Sequence, residues 1–270
     1  MKENISRFLF RTFFGNTNDI IYGAIDRAYR DMITCRKPLV PEKEKKIKEK
    51  STLKKRLSAS DSLYCAIETF LRGEVSDYGR WHKDVCDKLR KEYNTPSEKV
   101  FLTYGQAQKW INMTIKYIYY IFTEASEFLP ENLKDEKFKK VLISFKDEYH
   151  MPIDSYILNT MADKNISYID PKEVWSNIDS YIDYCDYQTK IGDHLQECSR
   201  LEWEMKEWLN LSEIVKENEF DSLLKKHELV DVNKDLQHPR VCPKFCVNSK
   251  SQCKIEQKLL FWGVSPLSTL

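Results

Sequence analysis

Lys109, Asn112 and Lys116 stand three and four residues apart in the run Leu102-Thr-Tyr-Gly-Gln-Ala-Gln-Lys-Trp-Ile-Asn-Met-Thr-Ile-Lys-Tyr. At helical spacing they share one face. Ala107, Trp110, Ile111, Met113, Ile115, Ile118, Ile121 and Phe122 make the rest of the segment apolar around most of its circumference, the pattern of a helix buried among others. A polar stripe carrying amines on such a helix is costly unless it lines a cleft. Burial disfavours the charged form of a lysine, and a neutral amine is a nucleophile that can form a Schiff base. Lys116, a like charge on the same face, pushes Lys109 the same way. Gly105 stands where a turn enters this helix and can bring backbone N–H groups close to a phosphate. The plainer alternative for Lys109 is a packed stem with its amine in solvent.

A second element follows in His150-Met-Pro-Ile-Asp-Ser-Tyr-Ile-Leu. Pro152 ends one element and Asp154 opens the next helix, so its carboxylate can face the cleft of Lys109. Asp154 is equally well placed as a helix N-cap, and the two roles are compatible.

Gly105-x-Ala-Gln-Lys on one helix, followed by Pro152-Ile-Asp154 before another, resembles the helix-hairpin-helix DNA glycosylases with a Pro-x-Asp motif. The closest resemblance is to the archaeal 8-oxoguanine glycosylases and related bacterial proteins. It extends over residues 102–161 of 270. A single glycine, Gly105, stands where the hairpin usually carries two, and a charged helix around Phe138 lengthens the interval between lysine and aspartate. The resemblance implies Lys109 as the nucleophile that attacks the sugar carbon and Asp154 as the carboxylate that stabilises charge on the sugar. Gly105 would belong to the hairpin, and Gln106, Gln108, Asn112 and Lys116 would join it in contacting double-stranded DNA. A base taken out of the duplex needs rings and hydrogen bonds to hold it; Trp81, His82, Tyr104 and Trp110, with Tyr117, are the candidates. The reaction implied is N-glycosidic cleavage of a damaged or modified base, with strand nicking by β-elimination through the Schiff base, and it needs no cofactor. A DNA binder without the activity, or a helical interaction or phage-defence protein, is the alternative.

The elements that must position these residues follow from composition. The chain has 270 residues, 41% hydrophobic and 31% charged, which excludes a disordered polymer. Only 7 glycines occur, too few for the tight turns of an all-β fold. The net charge of +1 argues neither for nor against nucleic acid. Between Arg36 and Arg56 ten Lys/Arg meet three Glu, read as a solvated linker over 36–57 or as a phosphate-contacting arm. No apolar run approaches a membrane span, and the start Met-Lys-Glu-Asn-Ile-Ser-Arg lacks a secretory apolar segment. Cys35, Cys65, Cys86, Cys185 and Cys198 sit singly in helical patterns and are expected to be reduced in a cytoplasmic protein. His238, Cys242, Cys246 and Cys253 match neither zinc-finger nor iron–sulfur spacing, so no metal is expected.

The expected fold is all-α: two helical lobes around a cleft that holds a helix-hairpin-helix element, in a monomer. Residues 1–230 form the domain and 231–270 a loosely patterned tail. Helices are expected from Asp19 towards Met32, from Ser58 to a stop at Gly73, from Tyr78 to Tyr93, from Gln106 to Ala125, around Phe138 to Phe145, and from Ile153 to Met161. Two more follow, one behind Pro171 with Trp175, Ile178, Ile182 and Cys185 on one stripe, and one from Ser199 to Val215.

Overall fold

The computed structural model describes residues 10–15, 19–35, 45–94, 102–166, 174–195 and 198–210. All of them fall in one compact unit, Met1–Ile214. The fold is all-α, and no strand occurs among the described residues. The helices are α1 (Ile20–Cys35), α2 (Lys45–Leu71), α3 (Tyr78–Tyr93), α4 (Tyr104–Thr123), α5 (Glu136–Ser144), α6 (Ser155–Asp163), α7 (Tyr181–His194) and α8, described over 200–210. None of the described helices is long and apolar enough to cross a membrane.

The centre of the fold is α4, which packs against α1, α3, α5, α7 and a 3₁₀ turn at Trp175–Asn177. Its apolar surface explains this: Ala107, Trp110, Ile111, Ile115 and Ile118 are fully buried. Thr103 caps it in a reciprocal capping box with Gln106, which fixes its start. Asp77 caps α3 and Ser180 caps α7 in the same local way. Gly73 closes α2 with φ +78, a conformation that glycine adopts without a Cβ penalty.

Two expectations fail. The basic stretch is helical from Lys45 onward as part of α2, where a linker reaching to residue 57 was expected. Lysine, arginine and glutamate are good helix formers, and no glycine or proline interrupts 45–71. Lys55 donates to the Tyr93 carbonyl at 2.8 Å, and Arg56 pairs with Asp26 over the ring of Tyr29. Both cations are therefore tied into the fold. The helix expected behind Pro171 begins only at Tyr181; Trp175–Asn177 is a separate 3₁₀ turn, and Ile182 is exposed. The buried side of α7 is Tyr184, Tyr187, Gln188 and Ile191 instead. Residues 36–44, 167–173 and the tail 231–270, with its three cysteines and His238, lie outside the described residues.

Candidate functional site

The first turn of α4 is covered rather than open. The Gly105 N–H donates to the Ile178 carbonyl at 2.8 Å, and Thr103 Oγ1 donates to the Ser176 carbonyl. A Cβ on Gly105 would stand 1.8 Å from the Trp175 carbonyl oxygen. Gly105 is therefore the place where the 174–178 segment presses onto the helix, and its amide does not face a phosphate. The Gln106 side chain joins the capping box, its Oε1 accepting from Thr103 N at 3.2 Å. Gly105 and Gln106, expected as DNA contacts, thus make these bonds within the fold.

Gln108 and Asn112 are wholly buried, so neither touches DNA in this conformation. Their amides serve another purpose. Gln108 Nε2 donates to the Ile153 carbonyl at 2.9 Å, and its Oε1 accepts from Ile153 N at 3.2 Å. Asn112 Nδ2 faces the Met151 carbonyl at 3.0 Å, and Gln188 on α7 brackets the same residue, donating to its carbonyl and accepting from its N–H. A peptide segment without helix partners would leave its backbone groups unsatisfied in the core, and these amides replace them. They clamp 151–153 against α4 and so set the position of Asp154, the next residue.

Asp154 does two things. Oδ1 accepts from Ile157 N at 3.1 Å and caps α6, while Oδ2 accepts from Lys109 Nζ at 3.2 Å. The two residues are 45 apart in sequence. The Lys109 side chain is 5% exposed and that of Asp154 17%. Above the amine lies the Trp175 ring, with Nζ 4.7 Å from its centroid, a favourable place for a cation.

Lys116, expected among the DNA contacts, is paired within the fold. Its Nζ donates to Glu204 Oε2 on α8, and the Glu204 side chain is 5% exposed. Burial holds the Glu204 carboxyl above its ordinary value, with Asp154 adding to the rise, while Lys116 and Lys109 oppose it. Two lysines and two carboxylates thus stand along one face of α4, Lys109 and Glu204 buried, Lys116 and Asp154 part-buried.

A second polar cluster lies beside the first and carries no charge. His82 Nε2 is 2.9 Å from Asn112 Oδ1, and His82 Nδ1 is 2.9 Å from the Tyr181 hydroxyl. Asn112 Oδ1 only accepts, so His82 carries its proton on Nε2. Asn112 Nδ2 donates to the Tyr184 hydroxyl at 2.8 Å, which is 2.9 Å from His150 Nδ1. Burial lowers His82 from 6.5 to about 3 and holds His150 well below its ordinary value, where His82 and Arg200 lower it further. Both histidines are neutral.

The rings expected to form one base pocket are dispersed. Trp110 is fully buried on the opposite side of α4, its Nε1 donating to the Ile25 carbonyl and its ring 4.9 Å from Tyr29. Tyr117 is likewise turned towards α1, bonded to Asp31. Trp81 packs tilted against Phe70 and lines a surface groove of about 400 Å³ between α2 and α3. Tyr104 is held by Asp87 and by the Arg90 guanidinium 3.7 Å over its ring. His82 is locked into the neutral cluster. Trp175 and Glu204 are the site residues the sequence reading missed. Trp175 was hidden in a supposed helical stripe, and Glu204 in the run Leu-Glu-Trp-Glu-Met-Lys-Glu-Trp, where nothing marks one glutamate from the others.

No three His, Cys, Asp or Glu among the described residues come together in a way that could hold a metal ion. The chain matches no protein-family model, no curated protein and no solved structure.

Proposed function

We propose that the chain is a DNA glycosylase, acting as a cytoplasmic monomer on double-stranded DNA, with Lys109 as nucleophile and Asp154 as the carboxylate beside it. The observation that carries the reading is the Lys109–Asp154 pair at 3.2 Å, two residues 45 apart brought together in a largely buried site. A buried lysine that has one carboxylate in reach and one ring above it is arranged for chemistry on a small, enclosed centre. The amine attacks the sugar carbon C1′ as the N-glycosidic bond breaks, and the base leaves with the electron pair. Asp154 stabilises the positive charge that develops on the sugar. Trp175 covers the amine, so substrate entry requires that ring to move. A cleft between two helical lobes, entered through a helix-hairpin-helix element, belongs to this proposal. The same pair also fits a structural ion bridge in a DNA binder without activity.

Borohydride trapping separates the two. Duplexes carrying 8-oxoguanine, uracil, hydroxymethylcytosine or an abasic site are incubated with the protein and reduced. The expected result is a covalent protein–DNA band on at least the abasic duplex that is absent in Lys109→Gln. No band on any duplex would leave only the binding reading.

A further inference from the structure

The segment 174–178 lies across the start of α4 and covers Lys109. Trp175, Ser176 and Ile178 are buried, and the Trp175 ring centroid stands 4.7 Å from the Lys109 amine. The bonds within the segment are local: the Asn177 N–H donates to the Val174 carbonyl at 2.7 Å, and the Ile178 N–H to the Trp175 carbonyl at 3.3 Å. A 3₁₀ turn closed on itself in this way can shift as a unit without breaking its own bonds. Two bonds latch it to α4, from the Gly105 N–H to the Ile178 carbonyl at 2.8 Å and from Thr103 Oγ1 to the Ser176 carbonyl at 2.8 Å. Beyond it, Asp179 pairs with Arg90 and Ser180 caps α7, which fixes that end.

One feature permits the covered position and another opposes it. The seat is Gly105: a Cβ there would stand 1.8 Å from the Trp175 carbonyl oxygen and 3.3 Å from the Ile178 Cβ, so the segment closes only because that atom is missing. The opposing feature is the Ser176 hydroxyl. Its Oγ is buried and has no hydrogen-bond partner among the described residues. A hydroxyl stripped of water and left unpaired costs the full desolvation of the group, and lifting the turn would return it to water.

We infer that 174–178 is a lid over Lys109, closed on Gly105 in the free protein and opened by release of its two bonds to α4, with the unpaired Ser176 hydroxyl favouring the open position. The purpose of the lid rests on the lysine-nucleophile reading; its motion does not. Closed, the Trp175 ring keeps water and stray electrophiles from the amine. Open, it leaves Nζ accessible to a substrate. Lys116 stands on the same helix but is covered by Glu204 of α8, so opening of this lid does not expose it.

The test is reductive methylation of lysine amines in the full chain with formaldehyde and cyanoborohydride. Rates at Lys109 and Lys116 are read from peptide masses and expressed as the ratio of the first to the second. Gly105→Ala adds the methyl group that meets the Trp175 carbonyl and is expected to raise the ratio about tenfold, since Lys109 reacts through the open lid. Ser176→Ala removes the unpaired hydroxyl, favours closure and is expected to lower the ratio about fivefold. It introduces no clash, so it decides the matter alone where Gly105→Ala does not fold. A segment that only packs gives a different result: Gly105→Ala then loosens the whole fold and speeds both lysines equally. A folded Gly105→Ala whose ratio stays within about twofold of wild type overturns the inference, and so does a Ser176→Ala ratio that is unchanged or higher. No DNA is present, so the lid can fail with the nucleophile intact. Borohydride trapping of the wild type on the abasic duplex tests the nucleophile separately.

Discussion

Two buried polar clusters share α4, and they are built in opposite ways. On one side Lys109, Lys116, Asp154 and Glu204 form two ion pairs in a place where water is scarce. On the other, His82, Asn112, Tyr184, His150 and Gln108 form a neutral chain in which the central amide serves four partners. Neutral, satisfied networks specify a core and hold it rigid. Buried charges are poor devices for that, since the cost of stripping water from each ion offsets most of their attraction. The neutral cluster holds the 151–153 segment and α7 in place, whereas the ion pairs of the charged one add little net stability.

Three changes act differently on the two clusters. Asn112→Leu should have the largest effect on stability. It removes the acceptor of His82 and the donor to Gln108, Met151 and Tyr184 at once, at a wholly buried position. A loss of about 3 kcal/mol or more in urea unfolding is expected. A loss under about 1 kcal/mol would show that the neutral cluster is not what holds the segment.

Acid should act next, and through the neutral cluster. His82 titrates at 6.5 in the unfolded chain and at about 3 in the fold, so between these values the unfolded state binds more protons. The stability due to neutral His82 is fully present above pH 6.5 and drains away as the pH falls towards about 3. The slope is about 1.4 kcal/mol per pH unit for this group. His150, lowered in the same direction, adds to it. Glu204, raised in the fold, works against it, because protonation relieves its burial. Unfolding curves at pH 7.5, 6.5 and 5.5 measure the sum, and His82→Gln should flatten the slope by one histidine's share. An unchanged slope would mean that His82 is not buried neutral.

The smallest effect is expected on the charged side. Glu204→Met with Lys116→Met should change stability by less than about 1 kcal/mol, in either direction, since a buried ion pair and well-packed apolar residues of similar volume are nearly equivalent. If this double change destabilises as much as Asn112→Leu, the charged face is structural and the contrast between the clusters dissolves.

Much of this was legible in the chain before any packing was known. The period of α4, the span of α3 from Tyr78 to Tyr93, and the break at Pro152 with Asp154 opening α6 are local, because a helix and its cap are decided within a few residues. The motif likeness also singled out Lys109 and Asp154, which the fold brings to hydrogen-bonding distance. What the spacing did not show was which polar group is covered. Gln108 and Asn112 have the same spacing whether they line a cleft or clamp a buried segment. Gly105 looks the same in a hairpin and under a Trp175 carbonyl. Lys116 pairs with a residue 88 positions away, and Trp175 reaches Lys109 only because a 3₁₀ turn lies on α4. The sequence by itself determined where helices begin and end and which face of each is apolar, since these depend on neighbours three and four residues off. Only the tertiary structure decided what covers each polar side chain, because that depends on surfaces supplied by distant segments, and burial in turn decides whether a charge is free, paired or available for chemistry.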